Sequence, residues 1–130
     1  MKKVSSKQSK INKELKKVYK EIDEERTHYC VGCGKTGALS HSHLIPRSRR
    51  PDLVLSKNNI VFHCMDGKDG RKGCHQLWEG GTHDKQKLLS YHSHMEYILE
   101  TDVEYYFLIN GCVIFVLVIM ELPYLLQLFF

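Results

Sequence analysis

Four of the five cysteines fall into two pairs, Cys30 with Cys33 and Cys64 with Cys74. Four thiolates close a tetrahedral shell around zinc with no open coordination position, so such an ion would hold the fold rather than do catalysis. The first pair is the Cys-x-x-Cys turn of Tyr29-Cys30-Val31-Gly32-Cys33-Gly34, whose glycines permit the tight path that brings both sulfurs to one ion. The second pair has nine residues between its members, wider than the usual two to four, and its other reading is two buried, unliganded thiols. The chain opens on polar, lysine-rich residues without an apolar stretch. A reducing, cytoplasmic setting is therefore expected, in which these cysteines bind metal rather than form disulfides.

Between and beside the cysteines lie His-Leu-Ile-Pro-Arg-Ser at 43–48, Asn-Ile-Val at 59–61 and Cys-His at 74–75. In this order, over roughly residues 30–80, they resemble the motif of the HNH (ββα-metal) endonucleases, in particular zinc-containing members encoded by phages and mobile elements. The resemblance implies a β-hairpin followed by a helix, with His43 ending the first strand, Asn59 opening the second and His75 on the helix. It further implies hydrolysis of a phosphodiester to 5′-phosphate and 3′-hydroxyl ends. His43 would take the proton of the attacking water. A divalent Mg²⁺ or Mn²⁺, with His75 as a ligand, would supply charge to the phosphoryl group and the departing oxygen. Asn59 would hold the loop and the base in position by hydrogen bonds.

The chain departs from the pattern at Ser42, where the family commonly has an Asp or His ligand to the metal. His41 could compensate, although strand alternation puts it on the face of His43 rather than that of residue 42. Glu79, four residues after His75, lies one turn along the same helix face and could complete the ligand set; its other reading is a solvent-facing helix-end carboxylate. Arg47, Arg49, Arg50, Arg71 and Lys72 flank the site on two loops and are candidate phosphate contacts, or else a solvated face. Trp78 either packs the helix on the hairpin or stacks on a base. His63 reads as a strand residue or an alternative zinc ligand. His28, His83, His92 and His94 lack a partnered spacing and read as surface residues.

The elements that must position these groups are legible in outline. Ile11, Leu15, Val18 and Ile22 form one helical stripe, predicting a helix from about Ser9 to Glu25. Residues 38–46 and 59–64 read as strands, with Pro46 ending the first. Met65 to Gly73, with three glycines and five charged residues, is a loop. A short helix opens at Cys74 and stops at Gly80-Gly81, Tyr91, Met95 and Ile98 share a later helix face, and Thr101-Asp102-Val103-Glu104 fits a capping box.

The fold class expected is α+β, a small zinc-stapled ββα-metal core with flanking helices. The chain divides into a basic helix or arm (1–26), the core (27–82), C-terminal helices (83–111) and an apolar tail (112–130). At 130 residues only one modest hydrophobic core is possible, which is where a metal staple helps. The net charge of +4 is uneven, since residues 1–20 carry eight Lys against one Glu. Such an arm suits a polyanion, double-stranded DNA above all, or is a solvated leader. The runner-up function is accordingly a zinc-stabilised nucleic-acid-binding module whose active site has decayed at Ser42. The tail reads as a core or partner-buried segment, a membrane contact or a segment without function, its charge-free run being short of a bilayer span. No small-molecule cofactor is expected.

Overall fold

The structure, a computed structural model, describes residues 5–67 and 69–110. The apolar tail 112–130 lies outside the described residues. Among those described, no helix is long and apolar enough to cross a membrane.

The chain is a small α+β fold in which a two-stranded antiparallel hairpin is covered on both faces by helices. Helix α1, Ser6–Glu25, starts three residues before its apolar stripe requires, because the Ser5 hydroxyl accepts the Gln8 N–H and caps it. Leu15 and Ile22 on the stripe are buried against Val54, Ile60 and Phe62. Burying each such side chain is worth about 1.5–3 kcal/mol, enough to fix α1 on the sheet although its other faces are lysine-rich. Arg26, just past α1, donates to the carbonyls of Ile60 and Lys57 and ties the helix end to the second strand.

Strand β1, Leu39–His43, pairs with β2, Ile60–Cys64, in a register that sets His41 opposite Phe62 and His43 opposite Ile60. Side-chain alternation therefore turns His41, His43, Ile60 and Phe62 towards α1, and Ser40, Ser42, Val61 and His63 towards the other layer. That layer holds α2, Cys74–Glu79, followed by the single-turn α3, Thr82–Lys85. Then come α4, Tyr91–Thr101, and α5, Val103–Ile109. Its core joins Leu44, Ile45, Trp78, Leu88, Met95 and Ile98 to the buried Cys30 and Cys74. Trp78 donates its indole N–H to the Leu44 carbonyl at 3.1 Å, locking α2 to the end of β1.

The cap of α5 differs by one residue from the capping-box expectation. Asp102, the single residue between α4 and α5, accepts the Tyr105 N–H, while Thr101 remains the last residue of α4. With so short a connection, Asp102 is the one residue outside both helices, and its non-helical backbone lets its side chain cap α5.

Candidate functional site

Two sites are built on this frame, one of sulfurs and one of imidazoles. The sulfurs of Cys30, Cys33, Cys64 and Cys74 all lie within 4.8 Å of one another, with Cys33 Sγ and Cys64 Sγ 3.7 Å apart. Tetrahedral Zn–S bonds of about 2.3 Å require sulfurs about 3.8 Å apart, so this donor set fits a metal ion such as zinc. The backbone is shaped to the same end. A Cβ at Gly32 would stand 2.8 Å from Cys74 Sγ, and one at Gly73 would run into the main chain of Cys64 and Met65. Both glycines thus let the two sulfur-bearing turns close. The Cys64 N–H donates to Cys30 Sγ and the Cys74 N–H to Cys64 Sγ, each at 3.2 Å. Burial raises the Cys30 thiol, yet main-chain donors outweigh it and hold that thiol below its ordinary range. Burial, and then the neighbouring sulfurs, drives the Cys74 thiol far up. For all four to be ionised this close together, a cation would have to sit between them.

The second site is a cleft of about 550 Å³ lined by His41 and His43 of β1, His75 and Glu79 of α2, and Arg47, Lys85 and Tyr105, with Leu44, Pro46 and Trp78 as its apolar wall. His43 sits where β1 runs into the loop 44–59. A carbonyl can only accept, so the His43 Nε2–H donates to the Val54 oxygen at 3.0 Å. This fixes the tautomer and leaves Nδ1 as the basic nitrogen. Burial foremost, assisted by the Arg47 and His41 charges, holds the imidazole below its ordinary range, so it is neutral at pH 7.

Asn59 is fully buried and is not itself part of the cleft lining. Its amide accepts the Ile45 N–H at 2.8 Å and donates to the Ile45 carbonyl at 3.0 Å, and its own carbonyl accepts the Leu44 N–H at 2.8 Å. These bonds close the loop whose Val54 carbonyl orients His43.

His75 is held from both sides. Ser40 Oγ, which donates its one proton to the His63 carbonyl at 3.0 Å, accepts from His75 Nδ1 at 2.9 Å. His75 Nε2 is then left facing Glu79 Oε1 at 3.1 Å. A lone pair facing a carboxylate needs a second ring proton or a cation between the two.

The structure does not gather the whole expected ligand set of His75, Ser42, His41 and Glu79. Among the described residues the four cysteines are the one cluster of three or more metal-donor side chains. Ser42 is 1% exposed, on the face of β1 opposite His43 and outside the cleft lining. His41 lines the cleft, but its Nε2–H donates to Asp23 Oδ1 at 2.7 Å and its ring stacks on Tyr19 with centroids 4.1 Å apart.

Of the five cations read as phosphate contacts, Arg47 alone lines the cleft, with its guanidinium donating to the Tyr19 hydroxyl at 2.9 Å. Arg49 makes a two-pronged bond to Asp102, both at 3.2 Å, and Arg50 grips Asp52 and reaches Asp102. These two are committed to holding the loop on α5, because the nearly buried Asp102 carboxylate needs a counter-charge. Arg71 pairs with Asp69 at 2.7 Å and Lys72 with Asp84 at 3.6 Å, away from the cleft lining.

His94 is not a surface residue. It is buried beside Trp78, with its Nε2 3.1 Å from His63 Nε2 and 2.8 Å from Ser90 Oγ. No spacing along the chain marks it, nor Tyr19, Asp23, Lys85 and Tyr105, which chain-distant packing brings to or beside the cleft. No protein-family model, curated protein or solved structure matches the chain.

Proposed function

We propose that the chain is a metal-dependent endonuclease of the HNH (ββα-metal) class, stapled by structural zinc at Cys30, Cys33, Cys64 and Cys74, that hydrolyses phosphodiester bonds of double-stranded DNA. One observation carries this reading: His43, neutral and with Nδ1 free of the Val54 bond, lines the same cleft as the His75–Glu79 pair.

In this reading His43 Nδ1 accepts the proton of a water that attacks phosphorus, and its fixed Nε2–H bond keeps the ring in place as charge develops. His75 and Glu79 would hold a Mg²⁺ or Mn²⁺ ion, which when bound supplies positive charge to the phosphoryl oxygens and the departing 3′ oxygen. Asn59 acts through the loop and touches no substrate. Arg47 steers the backbone into the cleft, and the exposed lysines of α1 add sequence-independent affinity.

A second reading, a zinc-stabilised nucleic-acid-binding module without catalysis, draws on one observation: Ser42 is buried and His41 is engaged by Asp23, so the cleft offers two facing metal donors rather than three. End-group analysis of a labelled duplex incubated with Mn²⁺ tests the choice. New 5′-phosphate and 3′-hydroxyl termini are expected from the nuclease, and an intact duplex that is nevertheless bound is expected from the module.

A further inference from the structure

Lys85 is the one lysine buried among the described residues, 7% exposed, and it lines the cleft with His43, His75 and Arg47. An ammonium withdrawn from water is costly unless a negative group faces it. The two carboxylates nearest in charge are spoken for: Asp84 is shared between Lys72 at 3.6 Å and Lys87 at 3.3 Å, and Glu79 faces His75 at 3.1 Å. What Lys85 has is the Gly80 carbonyl, to which Nζ donates, and the face of the Trp78 ring 5.3 Å away. Both are neutral, and an ammonium has three protons to give. Burial holds the group below the ordinary lysine range. Asp84 and Glu79 act on the ammonium only through space, so among the described residues it is kept on the cleft wall without an ion-pair contact of its own.

We propose that Lys85 is an oxyanion anchor in this cleft, binding a phosphate or phosphodiester oxygen beside His43, with Arg47 as the second cation of the same lining. The inference rests on the nuclease reading for its substrate, but the anion-binding claim stands on the cleft alone. A bound phosphate oxygen would take one of the free Nζ protons in a charge-assisted bond and supply a direct ion pair. The sequence offered no hint, since Asp84-Lys85-Gln86-Lys87 reads as an ordinary charged turn.

Trp78, the single tryptophan, lies under the Lys85 ammonium and reports on it directly. The experiment titrates the intact zinc-loaded chain with inorganic phosphate, without Mg²⁺ or Mn²⁺, following Trp78 fluorescence and the Nζ signals of ¹⁵N-lysine-labelled protein. A saturable fluorescence change with one shifted ammonium signal is expected. Lys85→Met should weaken that response at least about tenfold, the loss of one charge-assisted hydrogen bond. No saturable response in the wild type, or the same response in Lys85→Met, overturns the proposal. Should the variant not fold, the wild-type Nζ titration decides. A short DNA duplex in a second arm separates backbone phosphate from free phosphate as the ligand. Phosphate binding lost in Lys85→Met from a chain that never cuts DNA would uphold the anchor and sink the nuclease. Cutting undiminished in Lys85→Met, with no phosphate response, would do the reverse.

Discussion

Asn59 grips Ile45 by both of its main-chain groups, across fourteen residues, with bonds of 2.8 and 3.0 Å. The loop so closed carries the Val54 carbonyl to which His43 donates, so the fully buried amide acts on the orientation of the imidazole through that carbonyl. Asn59→Leu leaves a buried N–H and a buried C=O without partners, at a cost on the order of 2–4 kcal/mol. Urea denaturation checks this. A loss under about 0.5 kcal/mol, the range of ordinary surface substitutions, would show that the loop holds itself.

The sulfur site makes a stronger demand. Binding of a structural zinc is worth about 10–16 kcal/mol in small zinc-binding peptides, as much as the whole stability of an ordinary domain. Cys30→Ser and Cys74→Ser are therefore expected to lose the ion, measured by elemental analysis as a fall from one zinc per chain, and to lose cooperative thermal unfolding. Retention of zinc and of the melting temperature in either variant would mean that the four sulfurs are not its ligands.

These sulfurs were readable from sequence because a Cys-x-x-Cys turn is a local signal, as were both strands to within a few residues and the amphipathic stripe of α1. The wide Cys64 to Cys74 spacing also closed correctly, since Gly73 allows close approach to the end of β2. What sequence did not show is charge traffic between distant segments. Arg49 and Arg50 look like phosphate contacts until Asp102, about fifty residues on, is seen to claim them. His94 looks like a surface residue until α4 folds it onto His63 and Trp78. His41 looks able to compensate for Ser42 until α1 is seen to supply Asp23 to it.

Acid should weaken the fold in a defined window. Burial lowers His63 to about 3, with His94 adding to the effect, and burial lowers His94 to about 4. Their folded-state values lie below the 6.5 of an ordinary histidine, so the unfolded chain takes up protons first as pH falls. The stability they confer is full above about pH 6.5 and is lost as pH falls from there towards 4 and then 3. Denaturation midpoints measured from pH 7.5 downwards should drop over this window, and His94→Gln should flatten the slope; a midpoint indifferent to pH would contradict the buried pair. His43 is also held low by burial, so cleavage should keep a level rate down to about pH 6.5 and decline only below it.

The arginines should separate by function. Arg47→Ala is expected to weaken DNA binding and to reduce the steepness of log affinity against log salt by about 1, the release of counterions from one phosphate. Arg49→Ala should leave that slope unchanged and cost about 1–3 kcal/mol of stability, since it deprives the Asp102 carboxylate of its two-pronged partner. Equal salt slopes for the two variants would return Arg49 to the DNA interface.

The central claim is that His43 is the base of a metal-dependent nuclease. Its most direct test is conversion of supercoiled plasmid by the zinc-loaded chain with and without Mg²⁺ or Mn²⁺, the wild type beside His43→Ala, with binding of the same plasmid measured in parallel. The account predicts nicked or linear product from the wild type only when the divalent ion is present, and none from His43→Ala, which still folds and binds. Plasmid bound but uncut by the wild type, or cut equally well by His43→Ala, would contradict it.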